Sequence, residues 1–416
     1  MRSKKGIKKS TFLIALCWLV YTCSYIGKLG YNANIAQIET TYNVTHAQAG
    51  MVSTFFFFAY GAGQIFNGLF CKKYNLQWII FICLIVSSVA NLIVALSTSF
   101  AIIKYVWLIN GFSMSVLWPS LVRLLSETLS KKDMGQASVV MGTTVAVGTF
   151  VVYGLSAVFV KFNFQLSFFM ATVVLLVVAI VWVVFVSRLI RETKASVEDE
   201  ILPSSYAVKE KNLGDGKKWI FVIIVMLAFY GIITNLVKDG LTTWVPVILK
   251  EQYHLDESLS IVLTLALPVV SIFGNVFAIH LHKKIPDFVM QCAFVFFCSC
   301  VIIGGVIGGL SLGSFLITLI GFAVVCFLAS SCNTLITSIF PLFMKDKVNS
   351  GLIAGILNGF CYVGSTVSSY GLGAVADVGG WDAVFWLLFA LCAFVTVVGG
   401  VYKLIFSIKA KHKKSV

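Results

Sequence analysis

Twelve stretches of apolar residues, each long enough to cross a lipid bilayer, follow one another along this chain of 416 residues. A helix needs roughly 20 apolar residues to span the hydrocarbon core. Hydrophobic residues make up 59% of the chain and charged residues only 12%, whereas a soluble domain is about one quarter charged. The sequence therefore predicts an all-α membrane protein with twelve transmembrane helices. The predicted spans are about 11–37, 47–71, 77–98, 100–127, 134–160, 163–190, 218–249, 258–282, 286–309, 313–341, 350–376 and 382–407.

The basic residues are distributed unevenly between the two sides of the predicted membrane protein. Twenty-five of the 31 Lys and Arg residues lie in the two tails, in alternate loops or at the helix ends that border them, whereas Lys161 and Lys250 lie in the other loops. Because basic loops stay on the cytoplasmic side, both termini are predicted to be cytoplasmic, in a plasma (cell inner) membrane. The net charge of +14 is then explained by basic loops that face the anionic inner leaflet of the lipid bilayer, and it indicates no nucleic-acid partner.

One long polar stretch separates the sixth and seventh predicted helices. Residues 191–217 mix charges with Pro and Gly, which is typical of a linker. Related segments lie on its two sides: VGTFVVYGLSAV begins at Val147, and VGSTVSSYGLGAV begins at Val363. We therefore predict two pseudo-symmetric six-helix bundles, at 1–190 and 218–416, joined by this cytoplasmic linker.

Two lysines lie deep inside membrane helices, at equivalent positions in the two halves. Lys28 is about 17 residues into the first predicted helix, and Lys238 is about 19 residues into the seventh. Because a charge at the centre of a bilayer costs roughly 2.5–3.5 kcal/mol, a functional role is expected for both. Asp239 is the only acidic residue deep inside any predicted helix. Two cations with so little counter-charge predict a binding site for an anion such as phosphate.

Polar side chains share the helical faces of these lysines, at spacings of three or four residues. Such stripes line a water-filled cavity or form hydrogen bonds between helices. Lys104 lies near a helix end and is predicted to extend to the membrane surface. Arg123, one turn from Glu127, is predicted to be a structural or gating charge. The stripes are Tyr21, Tyr25, Lys28 and Asn32 in the first helix, Tyr230, Thr234, Lys238 and Thr242 in the seventh, and Asn358, Tyr362, Thr366 and Ser369 in the eleventh.

The predicted helices contain no nucleophile–base pair and no cluster of metal ligands. Ten of the eleven cysteines lie inside apolar runs, where free cysteine usually behaves as a small hydrophobic residue. We therefore expect no catalysis, no metal and no cofactor.

Four segments resemble the organophosphate:phosphate antiporters of the major facilitator superfamily, a family that includes the glycerol-3-phosphate and hexose-phosphate transporters. The segments are YIGKLGYNANI, NGFSMSVLWPSLVRLL, LVKDGLTTWVPVILKE and GILNGFCYVGSTVSSYGLGAVADVGGWDAVFWLL. They include the signatures Trp118-Pro119 and Gly380-Trp381-Asp382. The resemblance covers nearly the whole chain, and it implies the major facilitator fold and transport by alternating access.

The resemblance also implies roles for individual residues. In the family, one basic residue of helix 1 and one of helix 7, usually arginines, grip the phosphoryl group; these positions are Lys28 and Lys238 here. The helix 4 tryptophan that lines the family's cavity falls on Trp118. The general facilitator motif between helices 2 and 3 survives as GLFCKKYN, whose Lys72 and Lys73 are expected to act in gating.

Three positions depart from the family pattern. Lysine presents a point charge to phosphate where arginine presents a planar fork with several donors. The helix 5 histidine of the glycerol-phosphate antiporter falls near Val145. Asp239 directly follows the helix 7 cation, where it could pair with Lys238 or take up a proton and shift the coupling from exchange toward symport.

The sequence thus predicts a monomeric secondary active transporter for a small phosphorylated or other organic anion, which it exchanges for inorganic phosphate. Two alternatives stay open: a non-transporting sugar-phosphate receptor of the same family, and a proton-coupled transporter or effluxer of another organic compound. The expected substrate-binding residues are Lys28, Lys238, Tyr25, Asn32, Trp118, Thr234, Asn358 and Tyr362, with Asp239 as a coupling or charge-pair candidate and Lys72, Lys73 and Arg123 as gating residues.

Overall fold

The computed structural model describes residues 4–70, 75–194, 216–344 and 350–412. Within these ranges every regular element is a helix, and a single π-helical turn occurs at Leu335–Ile339. The helices are α1 Lys4–Ala33, α2 Ile35–Tyr42, α3 His46–Phe70, α4 Leu76–Leu96, α5 Phe100–Ser115, α6 Leu117–Thr128, α7 Lys131–Gly142, α8 Thr144–Phe159, α9 Gln165–Lys194, α10 Gly216–Tyr253, α11 Glu257–Thr264, α12 Ala266–Lys284, α13 Phe288–Ser311, α14 Phe315–Thr334, α15 Phe340–Phe343 and α16 Ser350–His412.

Eleven helical stretches of the described chain are long and apolar enough to cross a membrane. The last of them, Ile353–Ile405, has 53 residues, or about 80 Å of helix at 1.5 Å per residue, against about 30 Å of hydrocarbon. It contains Gly380 with φ 68° and ψ −179°, a non-helical conformation that divides α16 into two helices. The eleventh stretch therefore holds the last two predicted spans, so the all-α membrane fold predicted from the sequence is confirmed.

Gly380 is a position where only glycine fits without strain. A residue with a side chain at this φ and ψ is expected to cost about 1–3 kcal/mol. We therefore expect Gly380→Ala to lower the thermal stability of the purified protein measurably. Gly400→Ala is the matched control, since Gly400 lies in the same helix and a Cβ there would meet nothing within 4 Å. Equal melting temperatures for the two variants would contradict this account of the bend.

The first predicted span, about 11–37, is interrupted in the structure. Helix α1 ends at Ala33, and α2 begins at Ile35. Between them Asn34 adopts φ −108° and ψ 12°, and its side-chain amide donates to the carbonyl of Gly30 at 2.8 Å. An asparagine side chain that bonds a nearby backbone group competes with helix formation, which explains the early end.

The fourth predicted span, about 100–127, is also divided. Helix α5 ends at Ser115 and α6 begins at Leu117. Pro119 lies in the first turn of α6, where it lacks the N–H that would otherwise bond the carbonyl of Ser115. The Trp118-Pro119 signature thus places the tryptophan at a break between two helices. The predicted spans 134–160 and 258–282 also consist of two helices each, which meet at Thr143 and Leu265.

The chain divides into two compact units. The first contains the described residues of Met1–Asn43, Phe55–Ala207 and Glu257–Leu265, and the second those of Val44–Thr54, Val208–Asp256 and Ala266–Val416. The predicted bundles 1–190 and 218–416 had assigned residues 44–54 to the first half and 257–265 to the second. Most of the predicted linker 191–217 lies outside the described residues, and the domain boundaries stay a prediction.

Helix α11 belongs to the first unit because it packs against α8. The Ser258 hydroxyl donates to the carbonyl of Ala157 at 2.6 Å. Ile261 and Leu265 join an apolar cluster there with Val152, among other residues. Burial of these aliphatic side chains and one buried hydrogen bond account for the placement of α11.

The start of α3 belongs to the second unit because α16 caps it. Two backbone N–H groups, of His46 and Ala47, donate to the two carboxylate oxygens of Asp377 at 2.9 Å each. The first N–H groups of a helix have no partner within the helix, so an aspartate at this position satisfies and electrostatically favours the helix start. The Glu251 carboxylate at the end of α10 lies 3.4 Å from the His46 ring and accepts a hydrogen bond from the Trp381 indole at 2.7 Å.

Candidate functional site

Lys28 lies near the end of α1 and is surrounded by aromatic rings. Its ammonium nitrogen is 4.6 Å from the ring centres of Tyr21 and Tyr25 and 5.4 Å from that of Tyr60. The residue is only 6% exposed. A desolvated ammonium over a tyrosine face is stabilised by about 2 kcal/mol or more, which offsets part of the cost of burying the charge.

We call Lys28 with Tyr21, Tyr25 and Tyr60 the aromatic cage. Tyr21 and Tyr25 contact each other edge to face, with ring centres 5.5 Å apart. Trp118, at the break between α5 and α6, extends the cage, since its ring centre is 4.8 Å from that of Tyr21. No ion pair joins Lys28 to a carboxylate among the described residues. The cage therefore stabilises the ammonium without neutralising its charge.

The backbone that carries Lys28 is fixed by two asparagines. The side-chain amides of Asn110 on α5 and Asn91 on α4 both donate to the carbonyl of Gly27, at 2.9 and 3.3 Å. Both asparagines are fully buried. Hydrogen bonds to this carbonyl restrain the turn of α1 that holds the lysine, and buried polar groups of this kind fix a unique local geometry.

Loss of the shorter of these hydrogen bonds should disturb the site. Asn110→Ala is expected to lower the stability by about 1–3 kcal/mol and to weaken anion binding, because the Gly27 carbonyl keeps only the longer of its two side-chain hydrogen bonds. Asn91→Ala removes that longer bond, together with the Asn91 bond to the carbonyl of Ser87 one turn earlier on α4, and should have the smaller effect on anion binding. Phosphate binding of the two purified variants checks this order, and a larger effect of Asn91→Ala on binding would contradict it.

A second polar cluster surrounds Lys238 on α10. The Lys238 ammonium lies 3.8 Å from one oxygen of Asp239, which is longer than a hydrogen bond. The other Asp239 oxygen accepts a hydrogen bond from the Ser365 hydroxyl of α16 at 2.5 Å. The buried Asn235 amide donates to the same hydroxyl at 3.4 Å. Lys238 thus has a loose carboxylate neighbour, and that carboxylate is held mainly by the serine.

The remaining predicted binding residues occupy different environments. Asn32 is buried on α1, and Asn358 and Tyr362 are half-buried on α16. Thr234 is fully buried, and its hydroxyl donates to the carbonyl of Tyr230 at 2.7 Å and lies 3.3 Å from the Cys332 sulfur. The Thr234 hydroxyl therefore takes part in helix packing. The roles of Thr234, Asn32, Asn358 and Tyr362 in substrate binding stay predictions.

The predicted gating residues are only partly described. The Arg123 guanidinium on α6 bonds the Glu127 carboxylate one turn away at 2.6 Å, as the spacing predicts. Lys72 and Lys73 lie outside the described residues. The Lys104 ammonium is 5.1 Å from the ring centre of Tyr105. Arg123 is thus compensated by its own helix, in contrast to Lys28.

Sequence reasoning missed three residues of these clusters. Tyr60 on α3 completes the aromatic cage, and Asn235 and Ser365 complete the cluster around Asp239. Ser365 and Asn235 are polar residues inside apolar helices, which is a usable signal, but they lie one residue away from the stripes that the spacing selected. Nothing in the sequence around Tyr60 relates it to Lys28, because the contact depends on the packing of two helices.

The cysteines that the structure describes form no disulfide with one another. The ten cysteines that the structure describes are all free thiols, and seven of them are buried. They therefore contribute apolar packing, in agreement with their position in the sequence.

Comparison with known families and structures agrees with the fold. A family model described as Major Facilitator Superfamily matches residues 17–368. Among solved structures, a bacterial homologue of the human lysosomal transporter Spinster has a TM-score of 0.69 at 14% sequence identity, over 95% of this chain and 96% of that one. A POT family transporter has a TM-score of 0.72 at 11% identity, with the same coverage of both chains.

Curated relatives point to a branch of this family. The membrane sensor protein UhpC of Salmonella typhimurium is 26% identical over 123 residues, which cover 30% of this chain and only 28% of that protein. A probable hexose phosphate transport protein of Chlamydia trachomatis is 24% identical over 118 residues, 28% of this chain and 26% of that one. Sugar phosphate exchanger 3 of Bos taurus is 21% identical over 400 residues, 84% of this chain and 78% of that protein.

These relatives are of the kind expected from the organophosphate:phosphate antiporter resemblance. Both the fold and the relatives are those of membrane transporters and not of enzymes. The chain, a multi-pass membrane protein with a lysine deep in its first helix, belongs to the Major Facilitator Superfamily of transporters.

Proposed function

We propose that this transporter exchanges a small phosphorylated organic anion for inorganic phosphate by alternating access. Lys28 and Lys238 bind the phosphoryl group, each as a donor of charge-assisted hydrogen bonds. The protein lies in the plasma (cell inner) membrane as a monomer with both termini in the cytoplasm, as the distribution of basic residues predicts.

The aromatic cage is the observation that carries the proposal. A lysine that is only 6% exposed and has no ion pair to a described carboxylate is costly in a membrane protein unless it serves a ligand. The three tyrosine rings stabilise the cation yet leave its charge available, because a ring quadrupole does not cancel a unit charge. An incoming anion then gains a full electrostatic interaction that a neutral solute lacks.

The relatives support phosphorylated substrates in particular. Proteins named as a sugar phosphate exchanger and as probable hexose phosphate transport proteins share sequence with this chain. In the proposed site Tyr25 and Trp118 cover the carbon body of the substrate, and Asn32, Thr234, Asn358 and Tyr362 bond its hydroxyl groups. Lys72, Lys73 and Arg123 keep their proposed part in gating.

Exchange follows from the charges of the site. Lys28 has no ion pair with a carboxylate among the described residues, and Lys238 has only a loose contact with Asp239 there, so enclosing either ammonium without an anion is unfavourable. Binding of either the organic phosphate or inorganic phosphate compensates these charges. A carrier that changes conformation more readily when loaded favours the exchange of one anion for the other over net movement.

A competition screen tests this function. Labelled phosphate is bound to the purified protein, and hexose phosphates, triose phosphates, carboxylates and the parent neutral sugars are added as competitors. We expect one or more of the organic phosphates to displace the label and the neutral sugars to leave it bound. Displacement by a neutral sugar at the same concentration as its phosphate would contradict the anion site, and so would the absence of phosphate binding.

A second candidate function is a receptor for sugar phosphate. The observation in its favour is the similarity to the membrane sensor protein UhpC. Such a protein would bind the same anions but would not move them. Labelled phosphate uptake into liposomes that contain the protein and trapped phosphate separates the two, because only a transporter accumulates the label inside.

A further inference from the structure

The cluster around Asp239 contains a hydroxyl with two alternative acceptors. The Ser365 hydroxyl lies 2.5 Å from an Asp239 oxygen and 3.3 Å from the backbone carbonyl of Cys361. A hydroxyl carries a single proton, so it donates to one of these acceptors at a time. While Asp239 is ionised it can only accept a hydrogen bond, so the serine donates to the carboxylate.

The same geometry accommodates a protonated Asp239. The carboxylic acid then donates its proton to the Ser365 oxygen, and the serine turns its own proton to the carbonyl of Cys361. Each group keeps a partner in both states, which is what a buried site needs in order to change its protonation without leaving a polar group unpaired. Asn235, whose amide also reaches the Ser365 oxygen, retains a buried carbonyl oxygen with no hydrogen-bond partner among the described residues.

Anion binding supplies the reason for Asp239 to change its charge. Lys238 is 3.8 Å from the ionised carboxylate, so an anion that binds this ammonium arrives close to a second negative charge. Repulsion between the two is strong in a site shielded from water, and a proton on Asp239 removes it. Among the described residues, the buried thiols of Cys326 on α14 and Cys361 on α16 are titratable groups that interact with this pair.

We propose that Asp239 takes up one proton when an anion binds Lys238 and releases it when the anion leaves, so that net anion movement is coupled to a proton. The proton comes from water on the side where the anion enters and returns to water on the other side. No electrons move, and Ser365 acts as the positioning residue that alternates between the two acceptors. This inference rests on the proposed anion transport and adds the coupling of that transport to the movement of a proton.

Net transport and exchange respond differently to this coupling. When phosphate exchanges for another phosphorylated anion, one proton moves with each, and the proton movements cancel. When an anion enters liposomes that contain no exchangeable anion, its proton enters with it. A pH gradient that is alkaline inside therefore drives accumulation in the second case only.

The experiment uses the full-length protein in liposomes, with inorganic phosphate as the probe. The wild type should accumulate phosphate several-fold under the inside-alkaline gradient, and Asp239→Asn should lose that accumulation. In detergent, the wild type should take up one proton more per phosphate bound than Asp239→Asn, and the comparison cancels the titration of phosphate itself. Asp382→Asn is the matched control, since Asp382 is an exposed acid of α16, and it should behave as the wild type.

Ser365→Ala gives a readout that a purely structural role would not change. Loss of the serine removes the partner of Asp239 in both protonation states, so the extra proton taken up per phosphate bound should decrease while phosphate still binds and exchanges. Should the wild type exchange phosphate yet show neither extra proton uptake nor gradient-driven accumulation, the coupling is overturned and the proposed exchange stands. Should the wild type fail to bind or exchange phosphate at all, both proposals fail together.

Discussion

Lys28→Gln is expected to reduce phosphate exchange by about tenfold to a hundredfold while the protein stays at least as stable as the wild type. A hydrogen bond to a charged group contributes about 1.5–3 kcal/mol, and about 1.4 kcal/mol corresponds to a factor of ten. Glutamine fills a similar volume but carries no charge, so burying it inside the membrane costs less than burying an ammonium. Loss of function with equal or higher stability is the pattern of a residue retained for binding.

The control for this variant is Lys104→Gln, in which a membrane-helix lysine beside a single tyrosine is changed in the same way. Its exchange rate should stay within about twofold of the wild type, because an exposed or half-buried surface charge contributes little. Exchange rates in liposomes and melting temperatures in detergent check both variants. Equal exchange by Lys28→Gln and Lys104→Gln would show that the cage lysine does not bind the anion.

Gly364→Val is expected to prevent correct folding. Gly364 lies at a close approach of α16 to α10, where a Cβ would overlap the carbonyl oxygen of Ile232 and lie 2.8 Å from its carbon. Since the obstacle is backbone, the two helices must separate, which costs more than the usual 1–3 kcal/mol of an overpacked core side chain. The consequence extends to the site, because these helices carry Lys238, Asp239 and Ser365.

Gly371→Val is the matched control for this packing prediction. It lies two turns further along α16, where a Cβ would meet only the Val367 side chain at 3.8 Å, an ordinary contact. We expect this variant to be expressed and to elute as a single species in size-exclusion chromatography, whereas Gly364→Val should be degraded or aggregated. A well-folded Gly364→Val protein would contradict the close approach of α10 and α16.

The sequence predicted the membrane spans well because their signal is local. Length, hydropathy and the distribution of basic residues identify each span without any knowledge of its neighbours. The breaks were missed because they depend on single residues inside otherwise helical patterns. Asn34 ends α1 through a side-chain hydrogen bond, and Pro119 removes one helical hydrogen bond of the fourth span, while the apolar pattern continues past both.

The sequence predicted those residues of the candidate site that carry a charge inside an apolar run or share a helical face with such a charge. Lys28 and Lys238 stand out because a charge inside an apolar run is expensive. The spacing also placed Tyr21 and Tyr25 on the face of Lys28, where both contact its ammonium. Tyr60 could not be foreseen, because its contact joins distant parts of the chain.

The helix 7 stripe shows a second limit of helical spacing. Spacing selected Thr234, whose hydroxyl the structure uses in helix packing. It passed over Asn235, which contacts the Ser365 hydroxyl beside Asp239. A residue one position from the stripe reaches the cluster because the neighbouring helix supplies the partner, and single-helix periodicity carries no information about that partner.

The central claim is that the two membrane-buried ammonium groups bind the transported anion, and phosphate counterflow tests it most directly. Liposomes containing the wild type or the double variant Lys28→Gln, Lys238→Gln are loaded with phosphate, and the entry of external labelled phosphate is followed. We predict rapid entry with the wild type and none above protein-free liposomes with a folded double variant. Entry at the wild-type rate through the double variant would contradict the claim.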